Sequence, residues 1–128
     1  IDNSQQIPIS DFQSTNQSNE PVTQQKENNF TFILMPGETT EFKLKMLEGA
    51  IVKYEWVVDK GHVNFNTHGD SPTTNYFGYG KGLKVQSDIG NIVAAFDGNH
   101  GWFWRNRSDE ETTISLEISG DYISYKQF

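Results

Sequence analysis

The fold this sequence predicts is all-β: an antiparallel β-sandwich or jelly roll of eight to ten short strands. Three observations predict it. From Phe30 onward apolar residues recur with a period of two, which lines one face of a strand. Turn chemistry interrupts that pattern roughly every 8–12 residues, and no stretch carries the spacing of an amphipathic helix.

Residues 1–29 stand apart. Gln, Asn and Ser make up about half of them and apolar residues are sparse, so burial cannot offset the entropy of ordering. They read as a flexible polar linker or tail, with residues 30–128 as a single β-sandwich domain. The first strand, "FTFILM", places Phe30, Phe32 and Leu34 on one side, and Pro36-Gly37 ends it. "FKLKM" puts Phe42, Leu44 and Met46 inward and Lys43 and Lys45 outward. After Glu48-Gly49, "IVKYEWVV" brings Val52, Tyr54, Trp56 and Val58 to one face and leaves Glu55 opposite the core. Asp59-Lys60-Gly61 turns the chain into "HVNFN", with Val63 and Phe65 inward.

A long loop is expected over "THGDSPTTN", and "GYGKG" reads as a glycine-rich hairpin, since no helix follows it to make a phosphate site. "NIVAAF" is apolar on both faces and is expected to be a central strand. "WFWRNR" alternates again. Asp109-Glu110-Glu111 leads to "TTISLEIS", with Ile114, Leu116 and Ile118 inward, and "YISYKQF" closes the chain.

At 128 residues the chain can bury a core without staples. It has no cysteine, which excludes disulfides, thiol catalysis and cysteine-based zinc sites. The net charge of −7 argues against nucleic acid or an anionic membrane as a partner. No apolar run is long enough to cross a bilayer. The first residue is Ile1 and not Met, read here as a start that has been removed: a signal peptide, an anchor or a tag.

Functional candidates concentrate in "DGNHGWFWRNRS", residues 97–108. On a strand, Trp102, Trp104 and Asn106 share one face and Phe103, Arg105 and Arg107 the other. Under one reading the indoles fill the core and Asn106 satisfies backbone groups at a strand end. Under the other, Asp97, His100, Trp102, Arg105 and Asn106 form a ligand-binding platform on which a sugar ring stacks.

Two of the three histidines precede glycine, His68 in "THGD" and His100 in "NHGW". If loops cluster at one end of the sandwich, His62, His68, Asp70 and His100 converge. Imidazoles with a carboxylate would suit a divalent transition metal such as Zn²⁺, Cu²⁺ or Ni²⁺. The competing reading has each histidine bonding a backbone carbonyl.

The stretch from about Phe42 to Tyr122 carries "GAIVKYEWVVDKGHVNFNTHGD" and "AAFDGNHGWFWRNRSDEETTISLEISGDY". It resembles the periplasmic domain of the bacterial single-pass "transmembrane anchor protein" family. More loosely, the "HGWFW.N" strand pair is similar to the GOLD-type sandwich of vesicle cargo adaptors, without their cysteine pair. The resemblance implies a periplasmic domain tethered to the inner membrane by an N-terminal anchor absent from this chain. It supplies no established reaction; an envelope protein is the partner expected. The matching positions are His68, Gly69, Asp70, Asp97, His100, Gly101, Trp102, Trp104, Arg105 and Asn106.

No nucleophile–base pair stands out, so an enzyme is not expected. The function expected is a non-catalytic, membrane-tethered periplasmic binding or interaction module. Divalent metal binding by loop histidines is the alternative. Carbohydrate binding through exposed aromatics of the Tyr76–Tyr79 segment is a further one.

Overall fold

The computed structural model describes residues 25–128. Nine strands run through them: β1 (Gln25–Leu34), β2 (Thr39–Met46), β3 (Ile51–Val58), β4 (Val63–Ser71), β5 (Thr74–Val85), β6 (Ser87–Val93), β7 (Gly98–Asn106), β8 (Thr112–Asp121) and β9 (Ser124–Gln127). They form two antiparallel sheets, ordered β1-β8-β3-β6 and β5-β4-β7-β2-β9. Apart from the β4–β5 hairpin, each strand crosses to the opposite sheet from its predecessor. With β9 set aside, that order is the double Greek key of a jelly roll. β9 extends the larger sheet past β2.

The alternation seen in the sequence builds the core. Phe42, Leu44 and Met46 from β2, Val52, Trp56 and Val58 from β3, and Ile114, Leu116 and Ile118 from β8 are all buried between the sheets. Trp56, Trp102 and Trp104 have no exposed surface. Trp102 stacks on Trp104 at 6.1 Å between ring centroids, and Trp56 meets Trp104 edge-on at 5.8 Å. None of the three indole N–H groups finds an acceptor among the described residues. Their position is therefore set by area removed from water, not by hydrogen bonding.

Four expectations are corrected. β1 begins at Gln25, so the last five residues of the supposed linker are strand, paired with β8 from Asp121 to Glu117. That end lacks an apolar alternation: Asn28, on the side of Phe30 and Phe32 but exposed, donates to the Tyr122 hydroxyl (2.6 Å). The remainder of the linker, residues 1–24, lies outside the described residues.

"THGD" is strand and not loop: β4 runs to Ser71, and only Pro72 and Thr73 separate it from β5. The glycines of "GYGKG" sit inside β5, whose pairing with β4 is broken by three register shifts. β6 is the edge of its sheet, not its centre; Ile92 points into the core while Ile89 and Val93 are exposed.

Candidate functional site

The two His-Gly dipeptides pair with each other. In the β4–β7 ladder His68 lies opposite Gly101, and Gly69 lies opposite His100. Residues directly opposite share a face, and successive residues alternate between faces. His100 therefore points into the sandwich and His68 points out of it. Each glycine is needed for close approach. A Cβ on Gly69 would fall within the His100 imidazole, and one on Gly101 would collide with the Phe42 carbonyl oxygen of β2.

His100 is fully buried and fully bonded. Its Nε2 donates to the Phe96 carbonyl (2.9 Å), because a carbonyl can only accept. Nδ1 then accepts from the Tyr79 hydroxyl (2.9 Å), which in turn accepts the Ala95 N–H (3.0 Å). Burial pushes the His100 pKa below its ordinary value, against the opposing pull of the Phe96 carbonyl and Asp70. A neutral imidazole of one tautomer results.

His68 belongs to a network on the outer face of the five-stranded sheet. Its Nδ1 donates to the Asn66 side-chain oxygen (3.1 Å), and its Nε2 lies 3.1 Å from the Glu41 carboxylate. The Tyr76 hydroxyl donates to the same Asn66 oxygen (2.9 Å), and the Tyr76 ring stacks on the imidazole with centroids 5.0 Å apart. Lys43 donates to Asp70 and lies 3.3 Å from Glu41. Although it points away from the core, Lys43 is only 4% exposed.

Two glycines make this packing possible. Across the sheet the outward row reads Lys126, Lys43, Gly101, His68, Gly78. Over Gly101 no side chain intervenes between β2 and β4, so Lys43, Glu41, Asp70 and His68 gather above bare backbone. Gly78 underlies Tyr76, whose hydroxyl would sit 3.1 Å from a Cβ there. Burial first, and the Lys43 ammonium second, lower the His68 pKa; Glu41 and Asp70 pull it the other way.

The supposed metal set does not converge. His62 sits at the far end of β4, bonded to the Arg107 carbonyl (3.1 Å), and the sheet separates His100 from His68. His68 and Asp70 share a face, but a lysine ammonium already occupies the position between the Asp70 and Glu41 carboxylates. Among the described residues no group of three or more His, Cys, Asp or Glu is placed to hold a metal ion.

The platform expected from residues 97–106 is likewise divided. Asp97 accepts the Glu48 N–H (2.7 Å) at a turn, and Trp102 is core. Asn106, fully buried, donates to the Leu34 and Glu110 carbonyls (2.9 and 2.8 Å) and accepts from the Ser108 N–H (2.9 Å). That is the strand-end role expected of it. Arg105 is exposed on the outer face, with a 3.3 Å bond to the Gly37 carbonyl.

Lys43, Glu41 and Asn66 were not singled out in the sequence as site residues, whereas Tyr76 was, as an exposed aromatic for carbohydrate. The available signal was the pair of His-Gly dipeptides, which flag two bare-backbone positions that can lie side by side in a sheet.

The outer face of the four-stranded sheet is different. It carries a shallow cleft of about 620 Å³ lined by Glu27, Lys53, Glu55, Ile89, Asn91 and Glu117, among others. Glu55 and Glu117 are direct cross-strand partners, an unfavourable like-charge pair.

Fold and site together define a jelly-roll domain with one polar, aromatic-bearing outer sheet face. No family model matches the chain, and no curated protein matches it. Among solved structures it is similar to the Yersinia pseudotuberculosis-derived mitogen. The TM-score is 0.51 at 10% sequence identity, over 73% of this chain and 85% of that one. At that identity the likeness shows the fold alone.

Proposed function

We propose that the protein is a non-catalytic binding module that holds a saccharide on the outer face of its five-stranded sheet. The observation that carries this is the Tyr76 ring. It is 53% exposed, yet it is held by the His68 stack on one side and by its bond to Asn66. A sugar ring presents C–H groups on one face and hydroxyls at its rim. It is matched by an aromatic face flanked by fixed hydrogen-bonding groups, here Asn66, Glu41 and Asp70. Because their partners already fix these groups, little entropy is lost on binding. Phe103 and the 60%-exposed Phe128 extend the aromatic surface across β7 and past the end of β9. Jelly rolls host lectin domains among other functions, which agrees by analogy only. A periplasmic address and an inner-membrane tether rest on the family resemblance of residues 42–122, and an envelope protein is the partner expected there.

A glycan array followed by calorimetry with the best-retained sugar tests the proposal. Tyr76→Ala is expected to weaken binding about tenfold, the loss of one aromatic contact. Silence across the array, or full affinity in the variant, would overturn it.

A further inference from the structure

The charges of this chain are sorted by face. Outward on the five-stranded sheet lie Lys43, Lys45, Lys81, Arg105 and Lys126, against two carboxylates, Glu41 and Asp70. Outward on the four-stranded sheet lie Glu27, Glu55 and Glu117, against Lys53. A chain of net charge −7 thus presents one sheet face of net positive charge.

Both carboxylates on that positive face are already engaged. Each lies within ion-pair distance of Lys43, and Glu41 also lies 3.1 Å from His68 Nε2. Lys45, Lys81, Arg105 and Lys126 are exposed, and among the described residues no carboxylate lies within ion-pair distance of them. Lys81 stands on β5 at one edge of the sheet and Lys126 on β9 at the other, four strand spacings or roughly 19 Å apart. Tyr76, Phe103 and Phe128 lie between or beside them, and the Lys126 ammonium sits over the Phe128 ring at 5.0 Å.

Resting on the saccharide reading above, we infer that the ligand is an acidic polysaccharide, a chain of sugar rings bearing carboxylate or sulfate groups. Tyr76 takes the face of one ring. The exposed cations at the two edges take anionic groups on rings further along, so the chain lies across the strands. Charge complementarity selects this occupant over a neutral glycan. The aromatic face, made rigid by His68 and Gly78, selects it over a polyanion recognised by charge alone.

Binding to heparin, hyaluronan, dextran and single-stranded DNA, measured at low and high salt, tests the inference. Heparin or hyaluronan is expected to bind at least about tenfold more tightly than dextran, with affinity falling as salt screens the contacts. Loss of heparin binding on desulfation would assign the anionic group to sulfate, and retention would assign it to carboxylate. The double variant Lys45→Glu, Lys126→Glu is expected to lose the preference for charged glycans while keeping its dextran binding. Tyr76→Ala is expected to weaken all glycans.

Equal, salt-insensitive binding of dextran and the charged glycans would overturn the inference and leave the saccharide reading standing. Binding of DNA as tight as heparin and indifferent to Tyr76→Ala would overturn both.

Discussion

His68-Gly69 and His100-Gly101 are the same dipeptide, and each lies against the other in the β4–β7 ladder, yet their imidazoles have opposite fates. His100 enters the core, where a carbonyl and a tyrosine hydroxyl satisfy both ring nitrogens. His68 emerges on the outer face, among a lysine, two carboxylates and an exposed tyrosine. The difference follows from strand alternation alone. Paired register sets one residue of each dipeptide up and the other down, and the environment on each side does the rest. A histidine beside a glycine is thus no sign of a ligand until its face is known.

Replacing the glycines tests this division most severely. Gly101→Ala is expected to cost about 3 kcal/mol or more, because its Cβ meets backbone that cannot move without breaking the β2–β7 ladder. Gly69→Ala is expected to cost somewhat less, about 2 kcal/mol, since it displaces a side chain and its two hydrogen bonds. Adding His100→Ala should recover part of the Gly69→Ala loss and none of the Gly101→Ala loss. Urea denaturation of the three single variants and the two double variants measures this coupling, and simple additivity in the Gly69–His100 pair would contradict the geometry.

A smaller effect is expected from pH. Both imidazoles have folded-state pKa values below the ordinary 6.5. The unfolded chain therefore binds more protons, and stability rises with pH through that value. The contribution is complete above about pH 6.5 and is lost progressively as pH falls toward the lowered folded values. His100→Gln and His68→Gln should each flatten the stability–pH curve in that window relative to wild type. A curve left unchanged in both variants would show that neither ring is held neutral by the fold.

The smallest stability effect belongs to Tyr76→Ala. The ring is half exposed and its loss leaves no core cavity, so a change below about 1 kcal/mol is expected by thermal unfolding. A large loss would make Tyr76 a structural residue and not a binding one.

The core was legible in the sequence because alternation is a local signal. Phe42, Leu44, Trp56, Trp102, Trp104 and Ile114 all face inward as their spacing requires. Strand β5 was not, because its glycines and register shifts erase the period. "NIVAAF" misled because an exposed edge strand can still carry apolar residues on both faces. The outer-face site was hidden for another reason. Lys43 and His68 come together only because Gly101, on the strand between them, has no side chain, and that requires knowing that β7 separates β2 from β4. The histidines failed to converge because two of them were read as loop residues, free to swing, when both are locked in strands.

The most direct test of the account is to follow the ring signals of His68, His100 and Tyr76 by NMR while a retained saccharide is added. The account predicts that His68 and Tyr76 shift together along one saturating curve, while His100 keeps its Nε2-protonated form and does not move. Equal movement of His100, or movement confined to residues around Glu55 and Glu117, would contradict it.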